Sequence, residues 1–189
     1  ADLVGFTAFS ESRSADEVGE VVAAVLSRLY AVLRRHGGTT EKYLGDAVLS
    51  TFGLREPDPK AALSATRAGL ELQASMAEYR RETDRDLHLR VGVHCGELMV
   101  RRIGDTWAVV GDVVNTASRL QDIANPDTVW ISRSVYEEVR PYVEVLPRPS
   151  VSLKGKSLPM QPYEVRRERH AASSPTLPFT GRTAESAAL

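Results

Sequence analysis

The 189-residue chain is long enough for one domain with a substantial core plus a tail. Its apolar fraction of 42%, charged fraction of 26% and formal net charge of -1 give no argument for nucleic acid or an anionic membrane as the main partner. The single cysteine, Cys95, excludes an internal disulfide and suits a reducing cytoplasm, and no apolar run reads as a membrane span or signal peptide.

Asp2 to Phe6 reads as the end of a strand that turns at Gly5. Ser14 followed by Glu17 has the spacing of a capping box. Behind it Val18, Val21, Val22, Val25, Leu26, Leu29, Val32 and Leu33 form a helical stripe that should stop at Gly37-Gly38. Thr39 to Leu44 and Ala47 to Phe52 read as strands, with Gly45-Asp46 as a two-residue hairpin turn that holds Asp46 at an exposed tip. Asp58-Pro59 should open a helix to about Glu82, with Asp as N-cap and Pro at the first position.

Leu87 to His94 alternates as a strand, and Gly96 should turn it into a second one from Glu97 to Ile103. Trp107 to Val110 is a further apolar run, and Asp112 should cap a helix through Ile123, before Asn125-Pro126. Val129 to Ile131 is a short strand, Ser132 or Ser134 caps a short helix ending near Val139, and Val143 to Leu153 and Gln161 to Val165 close the domain as strands. Strands and helices alternate with hairpins mixed in, which predicts a sheet with helices packed on it, of the ferredoxin-like type. From Arg166 the composition turns charged and then small and polar, as in a linker. The abrupt start at Asp2 and the polar end read as a piece of a longer protein, with the strand leading into Asp2 cut short.

Three stretches carry the chemistry. Asp2 and Asp46 each stand beside a tight turn, and a hard divalent cation takes one or two carboxylates plus substrate phosphates. Asn115 and Arg119 lie four apart and share a helix face, with Asn115 in the electropositive first turn. Two carboxylates for a metal and an Asn/Arg pair for a phosphate suggest phosphoryl chemistry on a nucleotide. His88 and His94 are read as structural, Cys95 as a small half-buried residue, and the charges from Arg80 to Asp86 and from Arg166 to His170 as solvated.

Asp2-Leu3-Val4-Gly5-Phe6-Thr7 resembles the first metal motif of the class III adenylate/guanylate cyclase catalytic domain, and Lys42 to Val48 resembles the second. Leu89 to Glu97 is similar to the family's central strand motif, Gly111 to Arg119 to its transition-state motif, and Leu153-Lys154-Gly155-Lys156 to its closing one. Together these span residues 1 to about 166 in the family's order. The resemblance implies an α+β, ferredoxin-like sandwich with a mixed, mainly antiparallel sheet and packed helices. It implies conversion of ATP to 3′,5′-cyclic AMP and pyrophosphate, with two Mg2+ or Mn2+ ions per active site at a homodimer interface.

In that reading Asp2, Asp46 and the Leu3 carbonyl hold the ions. Val4, Gly5, Phe6 and Thr7 present backbone N–H groups to the triphosphate, and Arg90 and Lys154 bind phosphates. Lys42 reads the purine, Asn115 orients the ribose and Arg119 stabilises the transferring phosphorus. One chain supplies the aspartates, and its partner supplies Lys42, Asn115, Arg119 and Lys154.

The sequence departs from the pattern at Ala108, where the family carries an Asp or Thr that reads the base; Asp105 or Thr106 could replace it if the loop is shifted. That departure leaves open a guanylate or relaxed-specificity cyclase, or a catalytically silent nucleotide-binding module. Leu177 to Arg182, with Glu185, resembles the opening of the ATPase domain of large bacterial signalling regulators, which implies that residues 167–189 hold a linker and the start of a following ATPase domain.

Overall fold

A computed structural model describes residues 1–104, 106–152 and 158–169. The closing motif around Lys154, Asp105 and the ATPase-like tail lie outside them.

A five-stranded sheet runs in the order β1 (Asp2–Val4), β4 (His88–Val93), β7 (Thr128–Ile131), β9 (Tyr163–Glu168) and β8 (Val143–Pro147). Only the β4–β7 pair is parallel; the other three pairs are antiparallel. The hairpin of β2 (Thr39–Leu44) and β3 (Ala47–Thr51) docks beside β1 through Ala1. Val48 N donates to the Ala1 carbonyl at 2.9 Å and Ala1 N to the Val48 carbonyl at 3.0 Å. The arrangement is the mixed, mainly antiparallel α+β sandwich that the sequence implies.

Helices α2 (Ala15–Arg35), α3 (Ala61–Thr83) and α5 (Arg133–Val139) cover one face. The stripe of α2 buries Val21, Val25, Leu29 and Val32 at helical spacing, and α3 adds Leu63, Leu72 and Met76. They meet Leu3, Leu89, Val91, Val129 and Ile131 of the sheet in one continuous core. Successive strand residues point to opposite faces, so Gly92 and Trp130 turn away from this core. Helix α4 (Asp112–Asp122) packs there, with Leu120 and Ala124 against Trp130.

On that second face Glu164 is 2% exposed and takes hydrogen bonds from Arg148, 2.8 Å from its Nε, with Arg166 at 2.9 Å. The Arg148 guanidinium also stands 5.7 Å over the Trp130 ring.

Local chemistry moves several boundaries. Past Gly5 (φ 75) the turn runs into a short helix, α1 (Phe6–Glu11), whose Phe6 and Phe9 rings stack and pack against the core. Ser14 caps α2 by accepting from Glu17 N at 3.3 Å, but the Glu17 carboxylate pairs with Arg13 at 3.0 Å, so only half of the capping box forms. Helix α3 starts at Ala61, not Pro59, because the Asp58 carboxylate accepts from Lys60 N at 2.7 Å and Ser64 Oγ at 2.9 Å and holds a turn ahead of it. Gly111 occupies the N-cap of α4, and Asp112 is its first helical residue rather than its cap.

Strand β5 (Met99–Ile103) pairs with β6 (Thr106–Val110) instead of folding back on β4, so the two form a separate ribbon. Strand β8 ends at Pro147, well short of Leu153. Two closely placed prolines, Pro147 and Pro149, remove ladder donors there.

Candidate active site

Asp2 lies on β1 directly opposite Arg90 of β4. The register therefore brings a carboxylate and a guanidinium together from positions far apart in sequence. Arg90 Nη2 donates to Asp2 Oδ2 at 2.9 Å and Nη1 to the Asp122 carbonyl at 2.9 Å. Its Nε is buried without a partner. Gln121 Nε2 donates to the same Asp2 Oδ2 at 3.3 Å. Arg90, expected at a phosphate, is thus engaged by Asp2 and the end of α4.

Asp46 closes the β2–β3 turn, where Leu44 pairs with Ala47 and Gly45 has φ 65, a conformation that glycine adopts at no steric cost. The Ala1–Val48 hydrogen bonds draw this hairpin against β1. Asp46 is half-buried there, not fully exposed as a free tip would be. Burial raises its carboxyl above the ordinary 3.8, opposed by a hydrogen bond from its own backbone; the Asp2 charge raises it further and Arg90 lowers it.

Two neighbouring carboxylates, as hard oxygen donors, fit a divalent cation. The described residues contain no group of three or more His, Cys, Asp or Glu that could hold a metal, so phosphate oxygens of a substrate would have to complete such a shell. Leu3 follows Asp2 on β1, opposite Leu89, and is 3% exposed in the core. Val4 ends β1, Gly5 is the N-cap of α1, and Phe6 and Thr7 begin that helix. The first-turn amides of α1 have no acceptor one turn back within the helix.

A second group of residues borders a cavity that adjoins the carboxylates through Ala1, Ala47 and Gln121. Lys42 on β2 and Asn115 on α4 line one cavity of about 400 Å³, with Leu44, Leu49, Leu98 and Val113 among its apolar walls. Asp2, Asp46 and Arg119 do not line it. Asn115 is exposed and Arg119 half-buried one turn further along α4. No described residue bonds the side chains of Lys42, Asn115 or Arg119. The cavity offers an ammonium, a carboxamide and apolar walls, which suits a flat heterocycle on a sugar.

Gly92 sets the distance between α4 and the sheet. A Cβ there would stand 2.5 Å from Gln121 N and 2.6 Å from the Ala117 carbonyl oxygen. Sequence reasoning missed both Gln121 and the pairing of Arg90 with Asp2. The available signal was a glycine inside a strand, which marks a close backbone approach.

His88 and His94 are held by hydrogen bonds, and His94 and Cys95 also border the cavity. His88 is held between Asp127 at 2.5 Å and Asp86 at 2.9 Å, and His94 Nδ1 lies 2.8 Å from Ser132 Oγ. Burial, joined by the nearby Glu138, pushes the Cys95 thiol up against the lowering effect of Ser134, which makes a thiolate harder to form. None of the described helices is long and apolar enough to cross a membrane.

The model of the adenylate and guanylate cyclase catalytic domain matches residues 1–166. Adenylate cyclase 1 of Rhizobium meliloti is 29% identical over 175 residues, which cover 87% of this chain and 26% of that protein. The receptor-type guanylate cyclase gcy-23 of Caenorhabditis elegans is 28% identical over 165 residues, covering 82% of this chain and 15% of that protein. The chain thus spans about a quarter or less of the length of these two relatives.

Among solved structures, the adenylyl cyclase CyaB from P. aeruginosa superposes with a TM-score of 0.86 at 26% identity, over 89% of this chain and 92% of that one. The guanylate cyclase domain of RhGC from Catenaria anguillulae, in complex with GTP, gives 0.84 at 26% identity, over 89% and 93%.

Proposed function

The chain belongs to the adenylate and guanylate cyclase catalytic-domain family, and from that premise we propose that it converts ATP to 3′,5′-cyclic AMP and pyrophosphate. The observation that carries the reading is the placing of two carboxylates beside a cavity that Lys42 and Asn115 line. Asp2 stands within electrostatic reach of Asp46, and the cavity is bordered by Ala1 and Ala47, the chain neighbours of the two carboxylates. The family resemblance implies an active site assembled between two copies, one giving the carboxylates and the other giving Lys42, Asn115, Arg119 and Lys154.

In this reading Asp2, Asp46 and the Leu3 carbonyl hold two Mg2+ or Mn2+ ions. Bound there, the ions lower the pKa of the ribose 3′-hydroxyl and offset charge on the triphosphate. Lys42 donates to a ring nitrogen of the base, and the apolar walls exclude water from its faces. The Asn115 carboxamide holds the ribose so that the 3′-oxygen lies in line with the α-phosphorus. As that oxygen bonds to the α-phosphorus its proton passes to solvent water, and the bond to pyrophosphate, the leaving group, breaks. Arg119 stabilises the charge on the transferring phosphoryl group. The Val4 to Thr7 amides, Arg90 and Lys154 grip the phosphate oxygens. For Arg90 this requires its guanidinium to serve phosphate while it remains beside Asp2.

Ala108 favours a second reading. It is small and apolar on β6, where the family resemblance expects a side chain that reads the base. With Lys42 alone reading the purine, GTP would be accepted alongside ATP, and relatives of both specificities are similar to this chain. A silent regulatory module is a further outcome. The wider proposals are a cytoplasmic catalytic unit of residues 1–166, followed by a linker at 167–189 and a fused ATPase.

The test is cyclic-nucleotide formation with Mn2+ and either ATP or GTP, with Asp46→Ala as the blank. Cyclic AMP above the blank upholds the enzyme, and the ATP/GTP ratio decides between the first two readings. A folded dimer that binds nucleotide and makes no product refutes catalysis.

A further inference from the structure

Two donors meet on one oxygen of Asp2. Arg90 Nη2 reaches Oδ2 at 2.9 Å and Gln121 Nε2 reaches the same atom at 3.3 Å. Neither bond involves Oδ1. Gln121 is 8% exposed, so its amide is a buried group committed to this contact rather than a solvated one. Its place is fixed twice over. The missing side chain at Gly92 lets the backbone of α4 sit within 2.5 Å of where a Cβ would stand. Arg90 Nη1 then ties the Asp122 carbonyl, the next residue along, at 2.9 Å.

We propose that Gln121 is a positioning residue which, together with Arg90, pins Asp2 through Oδ2 and leaves Oδ1 as the oxygen offered to a divalent cation. The inference rests on the reading of Asp2 as a cation ligand. The physical reason is preorganisation. A carboxylate free to rotate offers its oxygens in many directions and loses that freedom on binding. Two donors on one oxygen remove the freedom beforehand, and partners behind a metal ligand of this kind contribute about 10–100-fold in metal affinity. Arg90 alone cannot do this cleanly, because its charge competes with the cation for Asp2. The neutral amide orients the carboxylate without that competition.

The experiment is Mn2+ binding to the full chain, counted from the electron paramagnetic resonance signal of free Mn2+. A fixed, saturating concentration of a non-cyclisable ATP analogue is present throughout. Gln121→Met keeps the length of the side chain and removes the donor. It should weaken Mn2+ binding about 10-fold while leaving the cation-free melting temperature close to that of the parent. Asp2→Ala should lose the site. Parental Mn2+ affinity in Gln121→Met, with the site lost in Asp2→Ala, overturns the role of Gln121. Parental affinity in Asp2→Ala overturns the ligand reading beneath it.

Should Gln121→Met fail to fold, the parent protein supplies the answer. The NMR signal of the Gln121 side-chain amide should move during a Mg2+ titration in the parent and be displaced in Asp2→Ala. A signal that ignores both overturns the proposal.

Discussion

Replacing Gly92 by alanine tests how tightly the sheet fixes α4. The new methyl would stand 2.5 Å from Gln121 N and 2.6 Å from the Ala117 carbonyl oxygen, both backbone atoms that cannot rotate away. Ordinary contact begins near 3.4 Å, so α4 must retreat by about 0.9 Å. Overpacking of this kind costs about 1–3 kcal/mol. In a domain of this size each kcal/mol lowers Tm by about 2–4 °C, so the variant should melt about 2–12 °C lower.

The displacement also reaches the site. The Gln121 bond to Asp2, already 3.3 Å, would open beyond hydrogen-bonding distance, and Asn115 and Arg119 ride on the same helix. A misplacement near 1 Å costs about 100-fold in rate. The assay is circular dichroism melting, together with cyclic-nucleotide formation measured well below the variant's own Tm. A variant that melts like the parent refutes the close contact. One that is destabilised yet turns over at the parental rate refutes the link between helix position and catalysis.

Four further expectations follow from particular residues. Arg119→Ala should lower turnover by about 10²–10³ with little change in Tm, because the side chain meets no described partner; parental turnover would remove its assigned role. Asp46→Asn should abolish activity yet raise the cation-free melting temperature at pH 7. The fold raises this carboxyl above 3.8, so it binds protons more readily folded than unfolded, and stability falls as pH rises through that interval. The advantage of the asparagine should therefore vanish below about pH 3.8 in a melting series with chelator; an advantage that persists there contradicts the burial argument. Glu164→Ala should cost about 3 kcal/mol in denaturant unfolding, because it strands Arg148 beside Trp130; a loss below 1 kcal/mol would show that Arg148 simply turns to water. Mixing inactive Asp46→Ala with inactive Asn115→Ala chains should restore partial activity, and no rescue in proven mixed dimers would refute sites shared between copies.

Local chemistry was legible from the sequence because it acts over a few residues. The α2 stripe, the Ser14 cap and the Gly45-Asp46 hairpin each follow from neighbours within one or two turns, and the structure holds them where the spacing puts them; of the two serines offered as caps of α5, it uses Ser132. The pairing of Asn115 with Arg119 on one helix is of the same kind. Boundaries shifted where a side chain found an unforeseen bond, as Asp58 did with Lys60 and Ser64 ahead of α3.

The meeting of Asp2, Arg90 and Gln121 had no such local cause. It depends on the register of β1 against β4 and on the approach of α4 that Gly92 allows, and no periodicity spans those separations. The same holds for the half-burial of Asp46, which follows from its hairpin docking against Ala1, and for the cavity that Lys42 and Asn115 share. Motifs named the chemical groups in advance; only packing between elements distant in sequence decided which of them touch, because contact energies are set by distances that the chain closes on folding.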